Sequence, residues 1–502
     1  MSTTSAGLHA VARVMSAGFL GCFRLTGPLG VGPAGRRAQR HCGHRTCGFR
    51  GWRDAAVWLS VPSGTIFTST PSSARRLLRR PRRGGLMTAS EQVAANLQQL
   101  GRETAHSIPR QRTAPDTDWR PLSIAMIGQK GMPATYGGVE RHVEELGSRL
   151  VSYGHTVTVF CRDSYGDLTT ETHRGVRLRR VRTVASKHLD AIVHSAASTM
   201  VAMREKPDVV HYHGLGPGLV APLPRYLSGA KVVLTVHGLD HTRAKWGRAA
   251  RTVLNTAYWF SGHVPDARIA VSRGLAAHYD AEFGRLTRYQ PNGVNPANKV
   301  PPDQITARFR LTPGRYVLLV GRLVPEKRAD LLIRAFRRLP LEANGQGPDD
   351  VKLAVVGGSS YTDDFVAHLK ATAEGDPRVV FTGFAYGDLL AELYSHAAVF
   401  VQPSHVEGLP LTLLEAASYG LPVVASDISP HVEVLEREGP GHRLFRDGDE
   451  DDLVRALQAA LANPRAERAG ALGLHGRVMA HYSWDAAARQ LERLYLDLAT
   501  KR

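Results

Sequence analysis

Hydrophobic residues alternate between two textures along this chain. Short, β-branched runs that read as buried strands are followed by stretches in which apolar positions return at helical spacing. The first series runs LSIAMIG (Leu122 to Gly128), HTVTVF (155–160), VRLRRV (176–181), DVVHYH (208–213), KVVLTV (231–236) and RIAV (268–271). After the first of these, Val139, Val143, Leu146 and Leu150 form a helical stripe with Arg and Glu opposite. The second series runs YVLLVG from Tyr316, VKLAVVGG (351–358), RVVFTG (378–383), Val399–Gln402 and VVAS from Val423. Strand alternating with helix predicts parallel sheets covered on both faces, with ligands gathering beyond the carboxyl ends of the strands. Residues 292–315 are Pro-rich and weakly patterned and read as a link. That sets a first domain at 120–295 and a second at 296–480. The end, 481–502, reads as a helix with Ser483 as N-cap and Leu491, Leu494, Tyr495 and Leu498 as its stripe.

Composition changes this picture at the front. A chain of 502 residues with 43% hydrophobic content fits a multidomain globular protein. No apolar run approaches the roughly 20 residues of a membrane helix. Of the four cysteines, only Cys161 lies in the patterned part, so no disulfide framework is implied and a reducing, cytoplasmic compartment is expected. The net charge of +19 suggests nucleic acid until it is located. Residues 1–86 hold 14 Arg, no Lys and one acid, Asp54, and account for +13 of it. That extension lacks any sustained period and reads as disordered. Three origins compete: an untidy translation start with Met87 as the true initiator, an Arg-rich presequence, or a basic arm for membrane or nucleic acid. The first is favoured, because Arg without Lys suggests unselected sequence. His41, Cys42, His44 and Cys47 offer metal ligands at a spacing that is not a standard finger. Residues 87–119 read as a helical piece and a polar lead-in.

The candidate chemistry lies at strand ends. VFVQPSHVEGLPLTLLEAASYGLPVVASD (399–427) reads as strand, turn, short helix and strand. Pro410 is placed in the helix's first turn and Gly420 at its end. Glu407 lies in the loop, and Glu415 lies among Leu411, Leu413, Leu414, Ala416 and Ala417, where an ionised group needs a partner. The helix start offers N–H groups and a positive dipole end to an anion. Arg322 and Lys327 follow the strand from Tyr316, in the loop or at the helix start, where two cations suit a diphosphate. Gly128, Gly131, Gly137 and Gly138 miss G-x-G-x-x-G, so a nicotinamide fingerprint is disfavoured. Gly137 and Gly138 bring bare backbone to a helix start, which serves a phosphate or simply a tight turn. DGDEDD (447–452) reads as an acidic helix start rather than a metal site.

Glu407 and Glu415 stand as the E-x(7)-E pattern of the retaining GT-B glycosyltransferases of family 4, which this stretch resembles. GMPATYGGVERHVEEL, VHGLDHTRAKWGR and PNGV resemble one subgroup of that family, which includes rhamnosyltransferases of bacterial surface polysaccharides. The resemblance implies two Rossmann-like parallel-sheet α/β domains facing across a cleft, the last helix crossing back to the first. It implies that the second domain binds the nucleotide-sugar donor through Arg322, Lys327, Glu415, Gly408 and Leu409, with Gly138 near the phosphates. Glu407 is assigned to the reacting sugar, and His237 to orienting it. His211 and His213 are expected to be structural. The expected activity moves a sugar, with retention, onto a saccharide or lipid-linked acceptor, without cofactor or metal and without nucleic acid. Peripheral contact with the inner face of a membrane goes with a lipid-linked acceptor. Open alternatives are a small acceptor such as inositol phosphate, a glycosidase using two carboxylates, and a non-enzymatic basic binding protein.

Overall fold

The computed structural model describes residues 119–135, 137–165, 170–183, 190–239, 248–339, 351–360, 362–436 and 438–500. The basic extension, Met87, the lead-in up to residue 118 and the HCGHRTC segment lie outside them, as do residues 241–247 of HTRAKWGR.

Two sheets form. The first contains β1 Ser123–Ile127, β2 Thr156–Arg162, β3 Thr172–His173, β4 Val176–Val181, β5 Val209–His213, β6 Lys231–Val236, β7 Ala267–Ala270 and β8 Arg288–Tyr289, in the order β3-β4-β2-β1-β5-β6-β7-β8. All pairs are parallel except the β3–β4 hairpin. The second contains β9 Tyr316–Val320, β10 Lys352–Val356, β11 Val379–Gly383, β12 Val399–Gln402, β13 Val423–Ser426 and β14 His442–Phe445, all parallel, in the order β11-β10-β9-β12-β13-β14. Both orders reverse beside their first strand, at β1/β5 and at β9/β12. A reversal makes neighbouring crossovers leave on opposite faces and opens a crevice at the carboxyl ends.

Every strand expected from the hydrophobic pattern forms, within a residue or two of its expected ends. The pattern does not reveal β3, β8 and β14: two are two-residue edge strands, and HRLF at β14 is two polar residues followed by two apolar ones, with no strand period to register. The Pro-rich link holds a helix, Asp303–Phe309, whose first N–H groups are bound from outside: Gln304 and Ile305 donate to Glu392 Oε2 at 2.7 and 3.0 Å. A cap donated by a distant element leaves no trace in the local sequence. DGDEDD opens the helix Glu450–Ala462, capped by Asp449, whose carboxylate accepts from Asp452 N at 2.9 Å.

The helix Trp484–Thr500 lies on the first sheet. Trp484, Ala488, Leu491, Leu494 and Tyr495 are buried with Ile124, Val157, Val209 and Ile269. Tyr495 OH is 2.6 Å from His211 Nδ1, and Arg149 Nε donates to Asp485 at 2.5 Å. Ser483 caps the helix through Ala486 N at 3.3 Å. The chain thus closes back over its first domain after completing its second. Among the described residues, no helix is long and apolar enough to cross a membrane.

Candidate functional site

The two reversal points face each other. From the second sheet, β9 gives way to the Pro325–Lys327 turn and the helix Ala329–Arg337, and β12 to the loop 403–410 and the helix Leu411–Ser418. The latter helix begins one residue later than expected, with Pro410 as its extended N-cap, φ −74° and ψ 115°. From the first sheet come the loop after β1, leading through Gly137 into the helix Gly138–Ser152, and the ends of β5 and β6, which carry His213 and His237.

Glycine permits the approach of the two lobes. A Cβ on Gly408 would lie 2.0 Å from the His237 carbonyl oxygen, so no larger residue fits the present backbone. A Cβ on Gly138 would stand 3.5 Å from Leu411 Cδ1, which places the two helix starts against each other. Leu409 is buried, and its carbonyl accepts from Asn292 Nδ2 at 2.9 Å.

Glu407 is held from three sides. Lys327 Nζ donates to its Oε1 at 2.5 Å, Gln402 Nε2 donates to the same oxygen at 2.8 Å, and the Ser404 hydroxyl adds a further hydrogen bond. Gln402 in turn accepts from Thr412 Oγ1 at 3.0 Å, which ties the loop to the start of the next helix. Burial pushes the Glu407 carboxyl up, but the Lys327 charge, the His431 ring and these hydrogen bonds outweigh it and leave it below its ordinary value. Glu415 behaves oppositely. Burial raises it against the opposing Arg141 charge and the hydrogen bond from Tyr394 OH at 3.1 Å. The two carboxylates are thereby shifted in opposite directions, Glu407 toward its ionised form and Glu415 away from it.

Arg322 lies in the loop after β9, partly exposed, and its charge reaches Lys130 in the loop after β1. Lys130 is pushed below its ordinary value by burial first and by Arg162 and Arg322 next, with Glu140 opposing. Cations from both lobes therefore converge on one region, as an anionic ligand requires.

Beside them sit three histidines. His142 is fully buried, and its Nδ1 lies 2.8 Å from Asn292 Oδ1. Because the Asn292 amide already donates to Leu409, its oxygen faces the ring and His142 Nδ1 carries the proton. His142 meets His237 edge to face, ring centroids 4.7 Å apart, and His237 Nε2 lies 3.4 Å from His213 Nδ1. Burial drives His142 down to about 4 against the opposing Asn292 hydrogen bond, and it drives His213 and His237 well below the usual imidazole range with the aid of neighbouring rings. All three are neutral at pH 7. His211 is bound to Tyr495 and to Thr235 Oγ1, at 2.6 and 2.7 Å, and serves the fold.

The structure thus brings Glu407, Gly408, Leu409, Lys327, His237 and Gly138 into one crevice, with Glu415 on the adjoining helix and Arg322 on the rim near Lys130. Gln402, His142 and Asn292 join them, although the residue pattern had assigned them no role: His142 lies within GMPATYGGVERHVEEL and Asn292 within PNGV. Gln402 is polar at the end of an otherwise apolar strand, and His142 falls on the same stripe as Leu146 and Leu150.

Residues 136–298 match the family described as Glycosyltransferase Family 4, and residues 314–463 match Glycosyl transferases group 1. The chain is similar to a D-inositol 3-phosphate glycosyltransferase of Geodermatophilus obscurus, 30% identical over 402 residues, covering 72% of this chain and 85% of the relative. It is similar to a GDP-mannose-dependent alpha-(1-6)-phosphatidylinositol monomannoside mannosyltransferase of Mycobacterium tuberculosis, 28% identical over 393 residues, 74% of this chain and 97% of the relative. Among solved structures, sucrose-phosphate synthase from Thermosynechococcus elongatus superposes with a TM-score of 0.64 at 25% identity, over 76% of this chain and 99% of that one. Anabaena HepE in complex with UDP-glucose shares the fold at 17% identity, with a TM-score of 0.62 over 74% of this chain and 99% of that one.

Proposed function

The chain belongs to the family 4 glycosyltransferases, with the GT-B fold, and on that premise we propose that it transfers a hexosyl group, with retention, from a nucleoside-diphosphate sugar to a saccharide or lipid-linked hydroxyl. The observation that carries this reading is the meeting of the two reversal points. Cations, an ionised carboxylate and a neutral histidine occupy one crevice between the lobes, where a pyrophosphate and its sugar would span the gap.

In this reading Arg322, Lys327 and the N–H groups near Gly408 and Leu409 receive the charge that accumulates on the departing diphosphate. Removing one donor from such an arrangement typically lowers the rate by about 10²–10³. Glu407 faces the sugar and favours the cationic anomeric carbon. His237 orients that sugar as a neutral hydrogen-bonding ring, and Glu415 accepts from the ribose. Gly138 lets the phosphates approach the start of its helix. Neither cofactor nor metal is needed for this transfer.

The rhamnosyl reading rests on the wording of GMPATYGGVERHVEEL. The names of the relatives favour a second reading, in which the acceptor is an inositol or inositol phosphate and the donor a mannosyl or N-acetylglucosaminyl nucleotide. Thermal stabilisation by a panel of sugar nucleotides decides the donor, since a ligand bound only by the folded state raises its melting point. Release of nucleoside diphosphate with each acceptor, with and without chelator, then decides the reaction. Rapid hydrolysis of plain glycosides with no nucleotide release would overturn the transferase assignment of this crevice.

A further inference from the structure

His142, His213 and His237 reach one point from three different elements: a helix, the end of β5 and the residue after β6. One ring nitrogen from each lies within 4.8 Å of the other two. The 3.4 Å between His237 Nε2 and His213 Nδ1 is close to the ~3.3 Å expected between two ligands of a tetrahedral zinc with bonds of about 2.0–2.1 Å.

The local hydrogen bonding goes further. His142 Nδ1 donates its N–H to the Asn292 amide oxygen, so its Nε2 holds a lone pair. That atom is buried and has no partner. His213 is 2% exposed and faces His237 through its Nδ1. Buried polar atoms are nearly always satisfied, so the unpartnered Nε2 of His142 beside these two rings calls for an occupant. An imidazole fixed through one nitrogen by an amide oxygen, with the other nitrogen free, is how proteins present a histidine to a metal. Neutral rings with no carboxylate among them favour zinc, copper or nickel over magnesium, calcium or manganese. His237 alone of the three is partly exposed, so an ion would enter from its side.

We propose that His142, His213 and His237 bind a zinc-type divalent cation, and that this ion inhibits transfer by withdrawing His237 from the donor sugar. The binding half stands on the geometry alone, whereas the inhibitory half rests on the role given to His237 above. The ion is a brake on the reaction and takes no part in it.

Titrating the full-length chain with Co²⁺ tests the binding. The expected result is visible ligand-field absorption that saturates at one equivalent, is displaced by Zn²⁺, and is lost in both His142→Gln and His213→Gln while their circular dichroism stays that of the wild type. Cys42 and Cys47 offer metal a second place, but thiolate ligands add near-ultraviolet charge-transfer bands that set it apart. No such absorption in the wild type, or the same absorption in both variants, overturns the site. Should the variants fail to fold, anomalous scattering at the zinc edge from wild-type crystals decides: an ion bonded to the three rings supports the site and none there overturns it. Inhibition is read separately, as a rise in donor KM with kcat unchanged when Zn²⁺ is added. An ion that binds and leaves KM alone overturns the inhibitory half and, with it, the donor role of His237.

Discussion

The Lys327 ammonium lies 2.5 Å from a carboxylate oxygen of Glu407. A cation suited to a diphosphate and an acid suited to a sugar thus hold each other. Their side chains are 19% and 10% exposed, so each charge is largely withdrawn from water and is offset by the other. A bound donor would take over both: its phosphate oxygens replace the carboxylate at Lys327, and its hydroxyls replace the ammonium at Glu407. The pair keeps Glu407 ionised and the crevice poised until that exchange.

Glu407→Gln preserves the shape of the loop, since Gln402 and Ser404 still have an oxygen to meet. Transfer should fall by about 10²–10³, the scale of one lost electrostatic stabiliser at a reacting centre. Nucleoside-diphosphate affinity should survive. Turnover near that of the wild type, measured by nucleotide release, would remove the carboxylate from the reaction.

Lys327→Ala leaves Glu407 buried without its cation, so its carboxyl rises from the lowered value it has in the pair. The sign follows from linkage. A carboxylate depressed in the fold contributes stability above the ordinary carboxylate range and loses it as pH falls through the depressed value. In the variant that loss begins at higher pH. The acid limb of kcat/KM should therefore move toward neutrality, and donor KM should rise far more than acceptor KM. An acid limb that stays in place would separate Lys327 from the ionisation of Glu407.

Glu415 is assigned to the ribose, and its contribution can be read without touching the sugar. The wild type should bind a ribonucleoside diphosphate more tightly than its 2′,3′-dideoxy analogue. Glu415→Gln should shrink that preference while leaving affinity for the dideoxy analogue nearly unchanged. Equal preference in the two proteins, by calorimetry, would place the ribose elsewhere.

How much of this could be read from the residues depends on the range of the forces involved. The strands at Val399–Gln402 and Lys231–Val236 announce themselves because burial on both faces demands unbroken apolar runs. Glu407, Lys327 and Arg322 could be picked out as candidates because they follow the carboxyl ends of such strands, and Glu415 because a charged group among apolar helix residues needs a partner. The pairing of Lys327 with Glu407 was not legible, since they are 80 residues apart and meet only through the reversal at β9/β12. The pairing of Asn292 with His142, 150 residues apart, was hidden for the same reason. A hydrogen bond across a fold leaves no local period.

Gly408→Ala tests the contact between the lobes. Its methyl group would stand 2.0 Å from a backbone oxygen of His237, which cannot rotate away as a side chain could. Overpacking of this kind costs about 1–3 kcal/mol or shifts the backbone. The expected variant is folded, somewhat less stable to urea, and much slower in kcat, because the loop bearing Glu407 is displaced from His237. Wild-type kcat together with wild-type stability would show that the two segments do not meet during turnover.

Asn292 joins the lobes through both ends of its amide. Its oxygen accepts a hydrogen bond from His142 Nδ1, on the first lobe's leading helix, and its nitrogen donates to the Leu409 carbonyl, on the second lobe's loop after β12, at 2.8 and 2.9 Å. Asn292 is 5% exposed, so water replaces it poorly. Asn292→Ala leaves a buried imidazole N–H and a buried carbonyl unsatisfied, at about 1–3 kcal/mol each by the usual scale for orphaned groups. Asn292→Asp separates structure from chemistry. It restores the acceptor for His142 but abolishes the donor to Leu409, so it should recover only part of the stability. Donor KM should rise in both variants, because the loop carrying Gly408 and Leu409 loses its tether. Urea melts and donor titrations on the same preparations give both quantities. An alanine variant as stable as the wild type, with unaltered donor KM, would mean that these two hydrogen bonds do not hold the lobes in register.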